Sequence, residues 1–106
     1  MRAVLFHPRA LEVIRSFPKQ ARHDLGDAIL ELQKGSRLNM PLSRPMRTVG
    51  KGVQELRIRD DAGIYRAFYL LNSERGVLVF HAFEKRTQKT PVHEIELGKR
   101  RLREMS

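Results

Sequence analysis

The chain has 106 residues, of which 41% are hydrophobic, and a net charge of +9 from 21 Lys and Arg against 12 Asp and Glu. This length is enough for one hydrophobic core but not for two, so we predict a single domain over residues 1–106. The basic excess favours a polyanion or an acidic protein as partner, although a charged surface also serves solubility alone.

Several classes of protein are excluded by what the sequence lacks. Cysteine is absent, which excludes disulfides, thiol catalysis and cysteine–zinc sites. Because the HExxH, GxGxxG and zinc-ligand patterns are also absent, we expect no metal and no cofactor. No apolar run approaches the roughly 18 residues of a membrane helix, and the N-terminus has no signal-peptide core. We therefore expect a cytoplasmic protein with no membrane partner.

The first third of the chain predicts a strand and two helices. Residues 2–7 favour a short strand, and Pro8 suits the first turn of a short helix that ends near Phe17. A second helix is predicted from Pro18, at its first helical position, to a stop at Gly35. Its apolar stripe consists of Ala21, Leu25, Ala28, Ile29 and Leu32. We expect the two helices to form a hairpin that covers a sheet.

Residues 36–52 contain Pro, Gly and several basic residues, which predicts a long irregular connection. The segment 50–52 resembles a phosphate loop only superficially. Pro45 stands where a Walker motif requires Gly, and Gly52 stands where it requires Ser or Thr.

Three β-forming runs follow, at residues 53–59, 64–71 and 77–83, and they are joined by two turns. They predict an antiparallel meander. Together with the N-terminal strand it gives an α+β fold: a small, twisted, antiparallel-dominated sheet covered by the helical hairpin, with a C-terminal helix.

Counting outward from the two turns predicts which residues face each other. Arg57 lies directly across from Arg66, and Phe68 lies across from Phe80, all on one face of the sheet. The other face should pack against the helical hairpin. It carries Leu56, Ile58, Tyr65, Ala67, Tyr69, Val79, His81 and Phe83. On that face His81 would be a buried, hydrogen-bonded side chain rather than a catalyst.

Two facing arginines repel each other, and an anion bound between them would remove that cost. The alternative is that Glu55 and Glu84, on the same face, neutralise them as a salt-bridge network. A planar guanidinium fork fits phosphate and stabilises charge that builds up in a transition state. A Lys crowded by other cations has a lowered pKa and can transfer a proton. These groups suit a metal-free RNA cleavage in which the 2′-hydroxyl is the internal nucleophile.

The basic loop KRTQKT at residues 85–90 leads into the last helix, with Thr90 predicted as N-cap and Pro91 as first helical residue. A narrow apolar stripe of Ile95, Gly98, Leu102 and Met105 marks one side of this helix. Its acidic residues come early and its basic residues late, which the helix dipole alone explains. His93, in the first turn, should be exposed.

These features resemble the RelE/ParE-superfamily toxins, over essentially the whole chain. The resemblance is carried by the order of elements, by ELR at 55–57, by YRAFY at 65–69 and by the tail FEKRTQKTPVHEIELGKRR. It is closest to the phage-related HigB-like branch of bacterial toxin–antitoxin systems. The most specific part is K-x-x-Q-K-T-P-x-x-E-I, whose fixed positions are Lys85, Gln88, Lys89, Thr90, Pro91, Glu94 and Ile95.

The resemblance implies a type II toxin that acts as a ribosome-dependent mRNA endoribonuclease and halts translation. Its implied partners are the ribosome, mRNA and a cognate helix-turn-helix antitoxin. It would contact operator DNA only as part of the complex with that antitoxin. Arg66 matches the arginine of the YR-x-x-Y strand, which in RelE-like nucleases contacts the scissile phosphate. Arg57, Lys85 and Lys89 occupy positions that resemble basic active-site residues. We assign to RNA binding a further set of polar residues: Arg59, Arg86, Thr87, Gln88, Lys51 and Arg47.

Three questions stay open at this point. Better-studied relatives carry a Tyr or His near the C-terminus for proton transfer, and this chain has neither after His93. ParE-type members instead poison DNA gyrase without cutting RNA, and such a protein would tolerate changes at Arg57 and Arg66. A basic RNA-binding module without catalysis is the third possibility, although few aromatics accompany the basic residues.

Overall fold

A computed structural model describes residues 1–106 throughout and has one five-stranded mixed sheet with three helices. The elements in chain order are β1 (Val4–Phe6), α1 (Pro8–Arg15), α2 (Lys19–Gln33), β2 (Ser43–Pro45), β3 (Gln54–Arg59), β4 (Ile64–Asn72), β5 (Gly76–Lys85) and α3 (Val92–Met105). The strand order is β1-β5-β4-β3-β2. Strand β1 runs parallel to β5, and the other neighbours are antiparallel. The predicted α+β class is confirmed.

The ends of the first two helices follow from a few residues. Helix α1 begins at Pro8, and the ring of His7 accepts a hydrogen bond of 3.1 Å from the backbone N–H of Arg9. Helix α2 starts one residue later than predicted, because Pro18 is its N-cap. Gly35 follows the helix with a φ of +97°, a conformation that favours glycine and stops the helix.

Helices α1 and α2 cover one face of the sheet, as the apolar stripe predicted. Leu25 and Leu32 are almost fully buried there against Leu56 and Ala67 of the central strands. A second apolar layer lies on the opposite face, under α3. There Phe68 is fully buried. It packs with Phe80, Phe83, Met46, Val49, Val53, Ile95, Leu102 and Met105. The sheet is therefore the middle layer of three.

The connection from 36 to 52 is not irregular throughout, contrary to the prediction. Residues 43–45 form β2, which pairs with β3 so that Ser43 faces Leu56 and Arg44 faces Glu55. Three residues that include a proline carry too little alternation for a strand signal, and β2 is an edge strand, where a proline is tolerated. The sheet consequently has one more strand than predicted.

The predicted register holds in one half of the meander and fails in the other. Arg57 does face Arg66, and Leu71 does face Val77. A β-bulge at Phe68/Tyr69 then shifts the pairing, so Phe68 faces His81 rather than Phe80.

The bulge adds one residue to β5, so the side chains after it point to the opposite face of the sheet from the one predicted. His81 and Phe83 consequently lie on the α3 side of the sheet, not on the α1/α2 side as predicted. Glu84 pairs with Tyr65 and so faces the α1/α2 side. The prediction that Glu84 shares a face with the two arginines is wrong for the same reason.

Candidate active site

Three arginines from three neighbouring strands surround one carboxylate. Arg44 lies on β2, Arg57 and Glu55 on β3, and Arg66 on β4. Arg44 faces Glu55, and Arg57 faces Arg66, while Glu55 and Arg57 are two residues apart and so point to one face. The Oε1 atom of Glu55 lies 3.6 Å from Nη2 of Arg44, 4.0 Å from Nε of Arg57 and 3.6 Å from Nε of Arg66. We call these four residues the arginine cluster.

Arg66 is the most deeply buried cation of the cluster, with 5% of its surface exposed. Burial lowers the pKa of its guanidinium, the carboxylate of Glu55 opposes that change, and Arg57 and Arg44 add to it. The side chain nevertheless stays a cation at any physiological pH, because guanidinium does not lose its proton in proteins. The sheet thus holds a desolvated positive charge next to two others.

Most hydrogen-bonding capacity of the cluster is unused. The buried Nε atoms of Arg44, Arg57 and Arg66 have no hydrogen-bond partner, and neither does Oε1 of Glu55. The contacts that do exist are long: Nη1 of Arg66 donates to the Tyr65 carbonyl at 3.4 Å. The Nε atoms of Arg57 and Arg66 lie 4.0 and 3.6 Å from Glu55 Oε1, beyond hydrogen-bond length, so charge attraction and not hydrogen bonding holds these groups together. An oxyanion is the ligand that several guanidinium forks accept.

The alternative prediction, in which Glu55 and Glu84 neutralise the arginines through salt bridges, is correct for Glu55 only. Glu55 does contact the arginines, but Glu84 lies on the other face, where it pairs with Arg86 at 2.9 Å. One carboxylate among three guanidiniums leaves the arginine cluster with a net charge of +2. The repulsion that the sequence predicted is therefore reduced but not removed.

Two clefts border the arginine cluster. The first, of about 430 Å³, is lined by Pro41, Leu42, Arg57, Arg59 and Arg66. The second, of about 490 Å³, lies on the Arg44 side. Its wall is made of Arg44, Pro45, Met46, Arg47, Thr48, Gln88, Lys89, Thr90 and Ile95. The two clefts together give a basic surface that continues across the cluster.

Lys85 ends β5 and is half-buried beside the arginine cluster. Burial lowers the pKa of its ammonium group, and the charge of Arg66 lowers it further, while Glu55 opposes both. Lys85 is thus the Lys crowded by cations that the sequence reasoning invoked for proton transfer.

The loop after Lys85 contains several residues that the sequence assigned to RNA binding, and only some of them line a cleft. Gln88 and Lys89 line the second cleft together with Arg47. The hydroxyl of Thr87 donates to the Lys89 carbonyl at 2.6 Å, and Arg86 is held by its ion pair on the other face. Lys51 is exposed in the turn between β2 and β3 and lines neither cleft.

Two residues of this site were missed by the sequence reasoning. Arg44 enters through the pairing of β2 with β3, for which the sequence gave no strand signal. Thr90 was predicted as N-cap of the last helix, but Pro91 occupies that position and α3 begins at Val92. The Thr90 hydroxyl instead points to Oε2 of Glu55 at 3.5 Å.

The histidines do not belong to the site. His81 is buried, as predicted, but beneath α3: Arg101 donates to its Nδ1 at 2.8 Å, so Nε2 donates to Glu94 at 2.7 Å. His93 is exposed, as predicted, with its ring 3.2 Å from the same carboxylate. No group of three His, Asp or Glu side chains is close enough together to hold a metal ion. None of the three helices has the length and apolar character to cross a bilayer.

The fold and the arginine cluster define a small basic α+β protein with three neighbouring guanidiniums on one face of its sheet. The model of the family described as Phage derived protein Gp49-like (DUF891) matches residues 12–103, which include the whole cluster, all of α2 and β2 to β5, and α3 except its last two residues. The chain belongs to that family, a RelE-like family associated with the toxins of toxin–antitoxin systems. Among curated proteins no sequence matches the chain.

Proposed function

We propose that residues 1–106 form one domain, the toxin of a type II toxin–antitoxin module in the phage-related HigB-like branch, and that this toxin cuts mRNA on the ribosome. Membership of a toxin-associated family supports the biological role. The observation that carries the chemistry is the group of three neighbouring guanidiniums that share a single carboxylate at 3.6 to 4.0 Å and keep a net positive charge. A phosphodiester supplies the oxygens that such guanidiniums bind.

The proposed reaction is a transesterification within the RNA. The 2′-oxygen attacks phosphorus, the bond from phosphorus to the 5′-oxygen breaks, and the products are a 2′,3′-cyclic phosphate and a 5′-hydroxyl. A base takes the proton of the 2′-hydroxyl, and an acid gives a proton to the leaving 5′-oxygen. Arg66 and Arg57 hold the non-bridging oxygens and stabilise the charge that develops on them.

Lys85 is the residue we propose for proton transfer. It lies beside the arginine cluster, and burial together with the charge of Arg66 lowers its pKa, which makes release of its proton easier. Its role as acid or base is fixed by which oxygen it reaches when RNA is bound. Lys89 contributes charge from the second cleft.

We propose that the RNA strand crosses the arginine cluster from one cleft to the other. Arg59 then binds phosphate in the first cleft, and Arg47 and Gln88 bind the strand in the second. Lys51, Arg86 and Thr87 lie outside both clefts and would meet only RNA that extends beyond them. The partners in the cell are the ribosome, mRNA and a helix-turn-helix antitoxin that carries the complex to its operator.

The decisive experiment maps mRNA 5′ ends after induced expression of wild type, Arg66→Ala and Arg66→Lys. New ends at in-frame positions are expected in wild type only, because Lys keeps the charge but lacks the planar fork. Blocking translation should remove them. The matched control is Arg22→Ala on the exposed side of α2, which should cut like wild type. Growth arrest with intact mRNA and accumulated DNA breaks would instead identify a gyrase inhibitor.

A further inference from the structure

Glu55 is a buried carboxylate with no part in the reaction proposed above. Its side chain is fully buried, and its Oε1 atom has no hydrogen-bond donor. Burial of a carboxylate is costly, and replacement of buried ion pairs by apolar groups is often neutral or stabilising. Glu55 reduces the repulsion among the three arginines, and loss of one partner from a buried ion pair is destabilising. The geometry of its contacts points to a role beyond this neutralisation.

The distances show what Glu55 does to its neighbours. Its Oε1 atom is 3.6 to 4.0 Å from guanidinium nitrogens that come from three different strands. These separations allow strong charge attraction but exceed the length of an N–H···O hydrogen bond. The carboxylate thus holds the guanidiniums around a common centre. Their terminal Nη groups contact two methionine sulfurs and one carbonyl, each at 3.4 Å, and are the donors that could turn to another oxyanion.

Glu55 also sets the charge of the cluster. With it, three guanidiniums have a net charge of +2; without it, they would have +3. An RNA phosphodiester carries one negative charge, whereas the phosphorane formed by attack of the deprotonated 2′-oxygen carries two. Charge attraction grows with the product of the two charges, so a cluster of +3 would favour the doubly negative species even more than +2 does. Any acceleration by Glu55 therefore has to come from where it holds the guanidiniums, not from the net charge that it leaves.

We propose that Glu55 is a positioning residue that holds the three arginines in the arrangement that fits the doubly negative transition state of RNA cleavage. This inference rests on the proposed function. Glu55 does not touch the reacting atoms; it acts through Arg44, Arg57 and Arg66. The hydroxyl of Thr90, near its second oxygen, couples this arrangement to the start of α3.

The test is single-turnover cleavage of mRNA on programmed ribosomes by the full chain. In Glu55→Gln the rate at saturation should fall by about tenfold or more. The concentration for half-maximal rate should stay equal or decrease, because the added positive charge strengthens binding of the singly charged ground state. Glu55→Asp keeps the charge at a shorter reach and should recover part of the rate. Glu12→Gln changes net charge equally on the exposed side of α1 and should match wild type.

Four outcomes would overturn the proposal. If Glu55→Gln cleaves mRNA at the wild-type rate, the proposal for Glu55 is wrong. The proposed function is unaffected by that result, because the wild-type chain still cleaves mRNA. A rate loss matched by a proportional rise in the half-maximal concentration shows a binding role instead. If Glu55→Gln is unfolded at the assay temperature, Glu55→Asp is the variant to measure. Cleavage by Glu55→Asp at the wild-type rate overturns the proposal. A wild-type chain that leaves mRNA intact overturns the proposed function, and the role of Glu55 with it.

Discussion

His81 shows how one buried side chain joins the sheet to α3. It lies in the bulged part of β5 with 1% of its surface exposed, and Glu94 and Arg101 of α3 occupy its two ring nitrogens. Burial lowers the pKa of the imidazole. The charges of Arg101 and His93 lower it further, and the hydrogen bond to Glu94 opposes them. The neutral ring is therefore the form that the folded protein favours.

The lowered pKa of His81 predicts a loss of stability on acidification. The unfolded chain takes up the proton first, so the contribution of His81 is complete above its unfolded pKa of about 6.5 and declines as the pH falls below it. One proton changes the free energy of unfolding by at most about 1.4 kcal/mol per pH unit. His81→Gln can keep both hydrogen bonds without titrating, so its urea-unfolding free energy should vary less between pH 7 and about pH 5.

The exposed His23 provides the matched control for that measurement. His23→Gln on α2 removes one histidine without touching α3, and it should retain the pH dependence of wild type. The carboxylates are common to all three proteins and contribute equally to each curve. A wild-type profile as flat as that of His81→Gln would contradict the assigned protonation state.

At the scale of elements, the sequence predicts the first half of the meander better than the second. Period-two alternation and a short turn are enough to pair Arg57 with Arg66. The bulge in β5 has no glycine or proline to mark it, because its cause lies elsewhere in the fold. It turns His81 and Phe83 toward Phe68 under α3, where their rings lie 5.4 and 5.6 Å from that of Phe68.

The arginine cluster was predictable only in part for a related reason. Arg57, Arg66 and Glu55 follow from the alternation within strands that have a clear pattern. Arg44 comes from a three-residue strand that exists because β3 offers a free edge to pair with. Edge pairing of this kind is a property of the folded sheet, and local sequence does not contain it.

Helix α3 and the sheet meet at a glycine, and this contact gives an element-scale prediction. A Cβ atom on Gly98 would lie 2.8 Å from Cδ2 of Phe68, a fully buried ring that cannot withdraw. Gly98→Ala should therefore destabilise the protein by about 1–3 kcal/mol, despite the better helix propensity of Ala. Chemical denaturation measures this difference directly.

Gly26 in α2 is the matched control, because no atom lies within 4 Å of a Cβ placed there. Gly26→Ala should stabilise the protein by about 0.5–1 kcal/mol through helix propensity alone. The two substitutions are chemically identical, so their opposite signs would isolate the contact between Gly98 and Phe68. Stabilisation by Gly98→Ala would mean that α3 is not packed against the sheet at this distance.

For the whole molecule, the question is whether its charge acts through the arginine cluster or only through the net field. The net charge is +9, whereas the cluster accounts for +2. Basic residues outside it lie on the exposed side of α2 and along the second half of α3. A general positive field attracts any polyanion, and direct contact with phosphate releases counterions at the contact.

Salt dependence separates these two contributions. For a single strand, each phosphate contact adds about −0.7 to the slope of log K against log salt. In Arg57→Gln the slope for a short RNA with 2′-O-methyl groups, which prevent cleavage, should become less steep by about 0.7, because Arg57 lines the first cleft. Arg22→Gln removes the same charge from α2, on the other side of the sheet, and should leave the slope unchanged. Fluorescence anisotropy over a salt series measures both. Equal slopes for the two variants would mean that RNA follows the net field and does not enter the cleft.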